Sequence, residues 1–360
     1  MTHVLIDQVN KRFGANIGVD DLSLEIADGE FFVLLGPTGA GKTTTLRLIA
    51  GLEKPDSGRI MIGGEDTSTW SVAERDVALV FQYYSLYPRY TVGENLAFPL
   101  KSRVNNFSDA EIQERVDGAA KLLRIDHLLD RKTDKLSGGE MQRVSIGRAI
   151  VREPTIFLMD EPLSNLDAKL RETLRAELKD LQMKLGATFL FVTHDQIEAM
   201  SMGDRVGVLN EGKIVQVGSP YDIYNNPRDQ FVASFVGSPA MNLLDAAISG
   251  GKISAPGAFD LALLDEGRGR LAGHEGALTL GIRAEDVTVD GEGEAEARIH
   301  HVENHGVEKI VTLRAGSSLI KATVPAISRY AVEDAVKFSF NQANLHGFDD
   351  KTGVSLARAA

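Results

Sequence analysis

The segment that most constrains this chain is a glycine-rich stretch, GPTGAGKT, at Gly36–Thr43. An apolar run, FFVLL at Phe31–Leu35, comes before it, and the helix-forming sequence TTTLRLIAGL comes after it. Glycines in such a loop let backbone N–H groups converge on phosphate oxygens, and the N-terminus of the following helix adds its dipole. The pattern therefore predicts a buried strand, a phosphate-binding loop and a helix, rather than a plain glycine turn.

A loop of this kind holds the phosphates of ATP, with its lysine on the outer phosphates and its hydroxyl residue on Mg²⁺. We expect Lys42 and Thr43 to have these two roles. The residues predicted to bind the nucleotide are Gly36, Pro37, Thr38, Gly39, Ala40, Gly41, Lys42, Thr43 and Thr44.

Two adjacent acids follow a second apolar run, IFLMD at Ile156–Asp160. A carboxylate at the end of a buried strand is well placed to hold Mg²⁺, which makes Asp160 the predicted metal ligand. Adjacent residues at a strand end can point in different directions, so Glu161 is the predicted residue that orients or deprotonates the attacking water. The alternative is a solvated acidic turn, which the nearby phosphate loop disfavours.

A second anion-binding turn is predicted in LSGGEMQRVSIGRAI at Leu136–Ile150. Ser137, Gly138 and Gly139 stand immediately before a helix, where free N–H groups and the helix dipole attract an anion. The phosphate loop already binds this chain's own nucleotide. The presence of a second such turn in another segment therefore predicts that this turn closes over a nucleotide held by a partner chain.

Up to about Val236 the sequence alternates short apolar runs with amphipathic stretches, which is typical of an α/β fold with a mostly parallel sheet. A helix is expected from Ser164, with leucines on one face and Gly186 at its C-terminal cap. The run ATFLFVTH at Ala187–His194 predicts another buried strand. The sequence VGVLNEGKIVQVG predicts a hairpin that turns at Asn210–Gly212.

The pattern changes twice along the chain. Between about residues 84 and 152 it is helical, and Ser108 with Glu111 predicts a capping box. After Pro239 it becomes a series of short strand-like runs, such as EKIVTLRAG and AVKFSFN, separated by Gly, Asp and Ser. These runs predict a small all-β barrel in the last third of the chain.

Composition excludes several classes of protein. The net charge of −12 has the wrong sign for a chain whose partner is the phosphate backbone of nucleic acid. The absence of cysteine excludes disulfides and thiolate zinc sites, and fits a reducing compartment. His300, His301 and His305 suggest a metal site, but on an alternating strand the first two point to opposite faces. No apolar run approaches the roughly 18 residues that span a bilayer, and no secretory signal is visible, so we expect a cytoplasmic chain.

Residues 1–236 resemble the ATP-binding cassette family, because its motifs occur here in order. Besides the segments above, the matching residues are Phe13 in VNKRFG, Gln82 in VFQYYSLYP, Glu140 at the end of LSGGE, Asp167 in SNLD and His194 in VTHD. Residues 237–360 resemble the regulatory OB-like domain, called TOBE, of sugar-type importers, through MNLLDAAI, LGIRAEDV, VENHGVEKIVTL and HGFD. The family often has Gln at the position of Glu140 and usually Pro at the position of Ala284.

The resemblance implies a P-loop NTPase (RecA-like) core with a helical subdomain, followed by the β domain. It also implies two copies packed head to tail, with ATP and Mg²⁺ between them. In that arrangement Phe13 stacks on adenine, Gln82 senses Mg²⁺ and water, and His194 contacts the γ-phosphate. Asp167 communicates between the two sites, and Glu140 in place of Gln is expected to have little consequence.

The partners implied are a second copy, transmembrane permease subunits and, indirectly, a solute-binding protein, at the cytoplasmic face of the inner membrane. The expected function is an importer's ATPase for a sugar, polyol or glycosyl compound, with polyamine or other organic solutes as an alternative. A translation or DNA-repair ATPase is disfavoured because the chain lacks a coiled-coil insertion and a second cassette. The β domain disfavours an exporter, and a phosphate-loop kinase would have no use for LSGGE and SNLD.

Overall fold

The computed structural model describes residues 3–102 and 107–357, and the chain divides into two compact units between Pro220 and Tyr221. Each unit has its own sheets and its own buried core. In chain order the first unit contains β1 (Val4–Phe13), β2 (Asn16–Ile26), β3 (Phe31–Leu35), α1 (Lys42–Ala50), β4 (Ser57–Ile62), β5 (Glu65–Asp66), β6 (Val77–Val80), α2 (Val92–Ala97), α3 (Asp109–Leu122), α4 (Gly138–Ile150), β7 (Ile156–Asp160), α5 (Ala168–Leu185), β8 (Thr188–Thr193), α6 (Gln196–Met202), β9 (Arg205–Asn210) and β10 (Lys213–Gly218).

A six-stranded sheet in the order β10-β9-β3-β8-β7-β6 organises the first unit. Its neighbours run parallel, except for the predicted hairpin of β9 and β10. One face shares a core with α1, and on the other face the ring of Phe189 stacks on those of Phe31 and Phe157. Burial on both faces explains why β3 reads as a continuous apolar run. The predicted α/β class and the predicted central strands are confirmed.

The helix expected from Ser164 begins later, at Ala168. The Asp167 side chain accepts a hydrogen bond from the backbone N–H of Leu170, which fixes the N-terminus of α5 there. Gly186 has the expected left-handed conformation at the other end, with φ 61°. The start was predicted too early because the leucine repeat continues into a turn, where Leu166 is buried without being helical.

The helices between β6 and β7 are α2, α3 and α4, in the segment where a helical subdomain was expected; residues 103–106 of that segment lie outside the described residues. The predicted capping box of Ser108 and Glu111 is present at the start of α3. A four-stranded antiparallel sheet, β2-β1-β4-β5, was not predicted. Its apolar residues join the same core as α1.

The second unit is built mainly of antiparallel strands. Its elements are α7 (Pro220–Asn225), α8 (Gln230–Phe235), β11 (Asn242–Ser249), β12 (Lys252–Ala255), β13 (Phe259–Ala262), α9 (Asp265–Arg270), β14 (Gly276–Ile282), β15 (Val287–Asp290), β16 (Ala295–Asn304), β17 (Glu308–Ala315), β18 (Ser318–Pro325), β19 (Ala335–Phe340) and β20 (His346–Phe348). Two five-stranded sheets, β13-β12-β11-β14-β20 and β15-β19-β16-β17-β18, share one core. The predicted β domain is confirmed, and its short helices are an addition that the sequence pattern did not indicate.

His300 and His301 do not point to opposite faces as predicted. The register of β16 with β17 slips between Ile299 and His301, so His300 is the extra residue of a β-bulge and both histidines are exposed. The nearest polar partner of His300 is Arg314. Within the described ranges, no helix is long and apolar enough to span a membrane.

Candidate nucleotide-binding site

Three parallel strands bring the predicted catalytic segments to one edge of the central sheet. In the register, Leu35 of β3 pairs with Thr193 of β8, and Asp160 of β7 pairs with Val192. The glycine loop, the Asp160–Glu161 pair and His194 therefore all follow the carboxyl ends of neighbouring strands. This edge is where open α/β sheets bind their ligands.

The glycine loop depends on its left-handed glycines and wraps around its own lysine. Gly39 and Gly41 have φ of 84° and 107°. A Cβ atom on Gly41 would lie 2.3 Å from the carbonyl oxygen of Gly18, so no other residue fits there. Lys42, only 5% exposed, donates hydrogen bonds from Nζ to the carbonyl oxygens of Gly36 and Pro37 at 2.9 and 3.0 Å.

Lys42, Glu161 and His194 form one polar cluster. Lys42 Nζ lies 3.5 Å from Glu161 Oε1, and His194 Nδ1 lies 2.9 Å from Glu161 Oε2. Burial lowers the pKa of Lys42, and the charge of Glu161 acts in the opposite direction. Glu161 has a left-handed backbone with φ 43°, which costs a residue with a side chain about 1–3 kcal/mol. Strain of this kind concentrates where side-chain placement matters for chemistry.

Thr43 and Asp160 form a pair of oxygen donors beside this cluster. Thr43 Oγ1 donates a hydrogen bond to Asp160 Oδ1 at 3.0 Å. Burial raises the pKa of Asp160, because the buried site disfavours its charged form. Among the described residues no cation forms an ion pair with this carboxylate. A half-buried carboxylate beside a hydroxyl is a donor set that suits Mg²⁺.

Phe13, the residue predicted to stack on adenine, is 44% exposed at the end of β1. The point where a Cβ on Gly18 would stand is 2.9 Å from the Phe13 ring and 3.0 Å from the Thr44 methyl group. An exposed aromatic ring therefore lies beside the first turn of α1.

Gln82 contacts the turn that follows Glu161. Its amide nitrogen donates to Ser164 Oγ at 3.3 Å, and Asn165 Nδ2 donates to the backbone carbonyl of Gln82 at 2.8 Å. Ser164 and Asn165 were not among the predicted site residues, although both belong to the SNLD motif that contains Asp167. Their small polar side chains, close in sequence to Glu161, were the feature that could have indicated a contact with Gln82.

The LSGGE turn forms a separate group in this chain. Ser137 caps α4, and Glu140 Oε2 lies 2.7 Å from the backbone nitrogen and 2.8 Å from the hydroxyl of Ser137. The hydrogen bond from the Ser137 backbone is the main cause that lowers the pKa of Glu140. A Cβ on Gly139 would lie 2.4 Å from Leu170, so glycine permits α4 to approach α5. In the described part of the chain, no hydrogen bond or ion pair joins this turn to residues 36–44.

Family models match three parts of the chain. Residues 19–164 match the ABC transporter domain, residues 237–287 the MalK OB fold domain, and residues 280–348 the TOBE domain. The first match contains the glycine loop, the LSGGE turn and the Asp160–Glu161 pair.

Several curated proteins are similar along nearly the whole chain. The trehalose/maltose import ATP-binding protein of Thermococcus litoralis is 47% identical, over 99% of this chain and 100% of its own length. The xylose/arabinose import ATP-binding protein of Haloferax volcanii is 46% identical, over 99% and 96%. The sn-glycerol-3-phosphate import ATP-binding protein of Rhizobium meliloti is 48% identical, over 97% and 98%.

Solved structures of isolated cassettes match the first part of the chain. A dimeric ATP-binding cassette with bound ADP and Pi superposes with a TM-score of 0.54 and 32% identity, over 60% of this chain and 98% of that one. A component of an ABC transporter complex from Clostridium perfringens has a TM-score of 0.57 and 28% identity, over 61% and 89%. The motifs, the sheet that positions them and these likenesses agree, and the chain belongs to the ABC transporter family, among the ATP-binding proteins of import systems.

Proposed function

We propose that two copies of this chain bind ATP and Mg²⁺ between them, head to tail, and couple hydrolysis to the uptake of a sugar, polyol or glycosyl compound. The observation that carries the catalytic part is the cluster of Lys42, Glu161 and His194 beside the pair of Thr43 and Asp160. This arrangement supplies a cation for phosphates, a carboxylate for water and oxygen donors for a metal.

Each residue of the cluster has a role that follows from its contacts. Glu161 is the group that orients the attacking water and accepts its proton. His194 holds one carboxylate oxygen of Glu161, and Lys42 lies near the other. When ATP binds, Lys42 exchanges the carbonyls of its own loop for the outer phosphates, which are better partners for a cation. Phe13 offers an exposed ring on which the adenine base stacks.

Thr43 and Asp160 are the residues that would hold Mg²⁺, with Gln82 facing the same turn as Glu161. The ion would neutralise charge on the phosphates during hydrolysis. The raised pKa of Asp160 fits such a site, because a buried carboxylate that lacks an ion pair gains most from a bound cation.

A second copy explains the LSGGE turn. Ser137, Gly138 and Gly139 present the N-terminus of a 13-residue helix, yet they are not bonded to this chain's own glycine loop. A nucleotide held by the partner's glycine loop would supply the anion, and Asp167 at the start of α5 would lie near the same junction. The dimeric cassettes among the solved structures have the stoichiometry that this proposal requires.

The two compact units divide these tasks. Every residue predicted to bind nucleotide precedes Pro220, so the first unit is the proposed ATPase. The second unit is the proposed regulatory domain, and α7 and α8 belong to it because Arg283 Nη2 donates to the Tyr224 carbonyl at 2.7 Å and Nη1 to the Val236 carbonyl. The domain boundary expected at residue 236 is thereby proposed to lie nearer Pro220.

Membrane permease subunits are the proposed partners at the cytoplasmic face of the inner membrane. A groove of about 260 Å³ beside the Gln82 segment is a candidate surface for one permease helix. Its apolar and cationic lining includes Phe81, Tyr84, Tyr87, Phe98, Arg148 and Arg152. Tyr84 and Tyr87 are half-buried within the unit, whereas Tyr83 at the edge of this segment is 73% exposed. Tyr83→Glu is therefore the cleaner test, and we expect it to reduce transport while the isolated chain keeps its ATPase activity.

The class of solute rests on the relatives, which import disaccharides, pentoses and glycerol phosphate. The direct test is to purify the chain with its native permease subunits and solute-binding protein, reconstitute them in vesicles and measure ATP hydrolysis with different solutes. Stimulation by a sugar, polyol or glycosyl compound is expected. Stimulation by a polyamine alone would leave the ATPase assignment intact and contradict the proposed solute class.

A further inference from the structure

A partly buried polar network joins the segment that follows Glu161 to the segment that precedes α6. Arg171, in the first turns of α5, donates from Nη1 to Asp195 Oδ2 at 3.2 Å and from Nη2 to the carbonyl oxygen of Leu166 at 3.1 Å. Leu166 immediately precedes Asp167, and Asp195 immediately follows His194. One guanidinium therefore clamps the Asp167 segment to the His194 segment.

The network continues to the end of β8. Asp195 caps α6 by accepting from the backbone nitrogens of Ile197 and Glu198. The backbone nitrogen of Asp195 donates to Thr193 Oγ1 at 2.9 Å, and this hydroxyl donates to Glu198 Oε2 at 2.5 Å. Thr193 and Asp195 are the two neighbours of His194, so both ends of the histidine's backbone are held by this network.

Glu198 is the most deeply buried carboxyl group of this network. The residue is 2% exposed, and burial raises the pKa of its carboxyl group. Arg171 Nε lies 3.9 Å from Glu198 Oε1, which is within ion-pair range and too long for a hydrogen bond. The cation of Arg171 thus faces the carboxyl groups of Asp195, which caps α6, and of Glu198 in its first turn, while 53% of the His194 side chain is exposed.

We propose that Arg171 is a positioning residue for ATP hydrolysis: by clamping Asp195 and Leu166, it holds His194 at hydrogen-bond distance from Glu161. The inference rests on the proposed function, in which Glu161 and His194 act on water and phosphate. Arg171 acts only through His194 and Glu161. Its loss should therefore slow hydrolysis and leave nucleotide affinity, which depends on the glycine loop and Lys42, nearly unchanged.

The test is a double-mutant cycle in the full-length chain. Arg171→Ala, His194→Ala and the double variant are compared by single-turnover hydrolysis and by the dissociation constant of a fluorescent ATP analogue. We expect Arg171→Ala to lower the hydrolysis rate by about tenfold or more, because small misplacements of catalytic groups have large kinetic effects. In the His194→Ala background, Arg171→Ala should cause no further loss.

Two further variants separate positioning from folding. Asp195→Asn keeps the cap of α6, since Asn and Asp cap helices equally well, but it removes the charge that Arg171 binds. It should reproduce the slow hydrolysis with an unchanged melting temperature. Arg171→Lys keeps the charge and loses the fork that reaches two oxygens, so an intermediate rate is expected.

The matched control is Arg115→Ala. Arg115 on α3 also bonds one backbone carbonyl, that of Val151, and one carboxylate, that of Glu153, and it should change neither rate nor affinity. The inference would be overturned if Arg115→Ala slowed hydrolysis as much as Arg171→Ala does. It would also be overturned if the rate loss in the double variant equalled the product of the losses in Arg171→Ala and His194→Ala. If His194→Ala itself hydrolyses ATP normally, the proposed catalytic role of His194 fails instead.

Discussion

Thr43 Oγ1 and Asp160 Oδ1 are joined by a hydrogen bond of 3.0 Å, although 117 positions separate the two residues in the sequence. The bond connects the first turn of α1 to the carboxyl end of β7. It lies at the edge of the central sheet formed by the carboxyl ends of the parallel strands, where the glycine loop is next to Asp160 and Glu161. The central sheet therefore positions the two oxygen donors that are proposed to bind Mg²⁺.

The Asp160 carboxylate is predicted to destabilise the ligand-free protein. Burial raises its pKa, so the folded state holds the proton more tightly than the unfolded state does. The resulting cost is present above the raised pKa and disappears as the pH falls below the ordinary pKa of aspartate. Asp160→Asn should therefore raise the melting temperature near neutral pH, with a difference from wild type that shrinks in acid.

Asp160→Asn should also lose the extra rise in melting temperature that Mg²⁺ causes when ATP is present, because an amide is a poorer ligand than a carboxylate for a hard cation. Differential scanning calorimetry with and without Mg²⁺ and ATP measures both effects. Asp180→Asn, at an exposed position of α5, is the control and should change neither. A lower melting temperature for Asp160→Asn without ligand would contradict the account of this carboxylate.

Glu161→Gln should leave ATP binding intact and reduce hydrolysis by orders of magnitude, because the amide keeps the shape of the side chain and loses the proton acceptor. The amide should also retain one contact to His194. With hydrolysis blocked, ATP and Mg²⁺ should hold a dimer together on size-exclusion chromatography. Near-normal hydrolysis, or elution only as a monomer, would rule out the role proposed for Glu161.

The carboxylate of Glu140 is predicted to have two opposite effects. Glu140→Ala removes the acceptor for the Ser137 backbone and hydroxyl and should cost about 1 kcal/mol of unfolding free energy. Glu140→Gln should keep part of the cap and remove a negative charge beside the predicted anion-binding turn. In contrast to the small consequence expected from the family resemblance, it should therefore tighten the ATP-driven dimer a few-fold in the Glu161→Gln background. Urea unfolding and analytical ultracentrifugation measure the two quantities.

The control for Glu140 is Glu111, which forms the same capping box with Ser108 at the start of α3. Glu111→Ala should lose a similar amount of stability, and Glu111→Gln should leave ATP-driven dimerisation unchanged. Weaker dimerisation of Glu140→Gln would mean that the carboxylate favours closure, contrary to the charge argument.

Arg283 is predicted to be a main source of stability in the second unit. The residue is 3% exposed, stacks 3.9 Å from the centre of the Tyr224 ring, and donates to the carbonyl oxygens of Tyr224 and Val236. Arg283→Ala leaves these carbonyls unpaired and should destabilise the unit by about 3 kcal/mol or more. Arg298→Ala, at an exposed arginine in β16, should change it by less than about 0.5 kcal/mol. Equal urea midpoints for the two variants would contradict this role.

Sequence patterns predicted the central sheet and its loops well because both signals are local. A strand buried on both faces must be apolar throughout, and a phosphate-binding loop needs its glycines at fixed spacings. Phe31–Leu35 and Ile156–Asp160 therefore have in the structure the bounds that the apolar runs indicated. The capping box of Ser108 and Glu111 was equally visible from spacing alone.

Features that depend on distant residues could not be read in this way. The four-stranded antiparallel sheet is held by pairing of β1 with β4, across a stretch that includes the glycine loop. The bulge at His300 inverts the expected alternation, and nothing in the local sequence marks it. The contact between Arg171 and Asp195 exists only because α5 packs beside α6. The sequence of α5 contains several lysines and arginines, and nothing in it indicates which of them makes this contact.

In the proposed head-to-tail dimer, each catalytic site combines Lys42, Asp160 and Glu161 of one chain with Ser137 and Gly139 of the other. Linked dimers with Lys42→Ala and Ser137→Arg test it. With the substitutions on different protomers, both defects fall in one shared site and the other site is whole. With both on one protomer, each shared site carries one defect.

The measurement is the amount of nucleotide trapped per dimer in these two arrangements. A shared site predicts about one nucleotide per dimer when the substitutions lie on different protomers, and little trapping when both lie on one protomer. A site contained within one chain predicts the reverse, because the unaltered protomer would remain fully competent. Equal or greater trapping with both substitutions on one protomer would contradict the head-to-tail dimer.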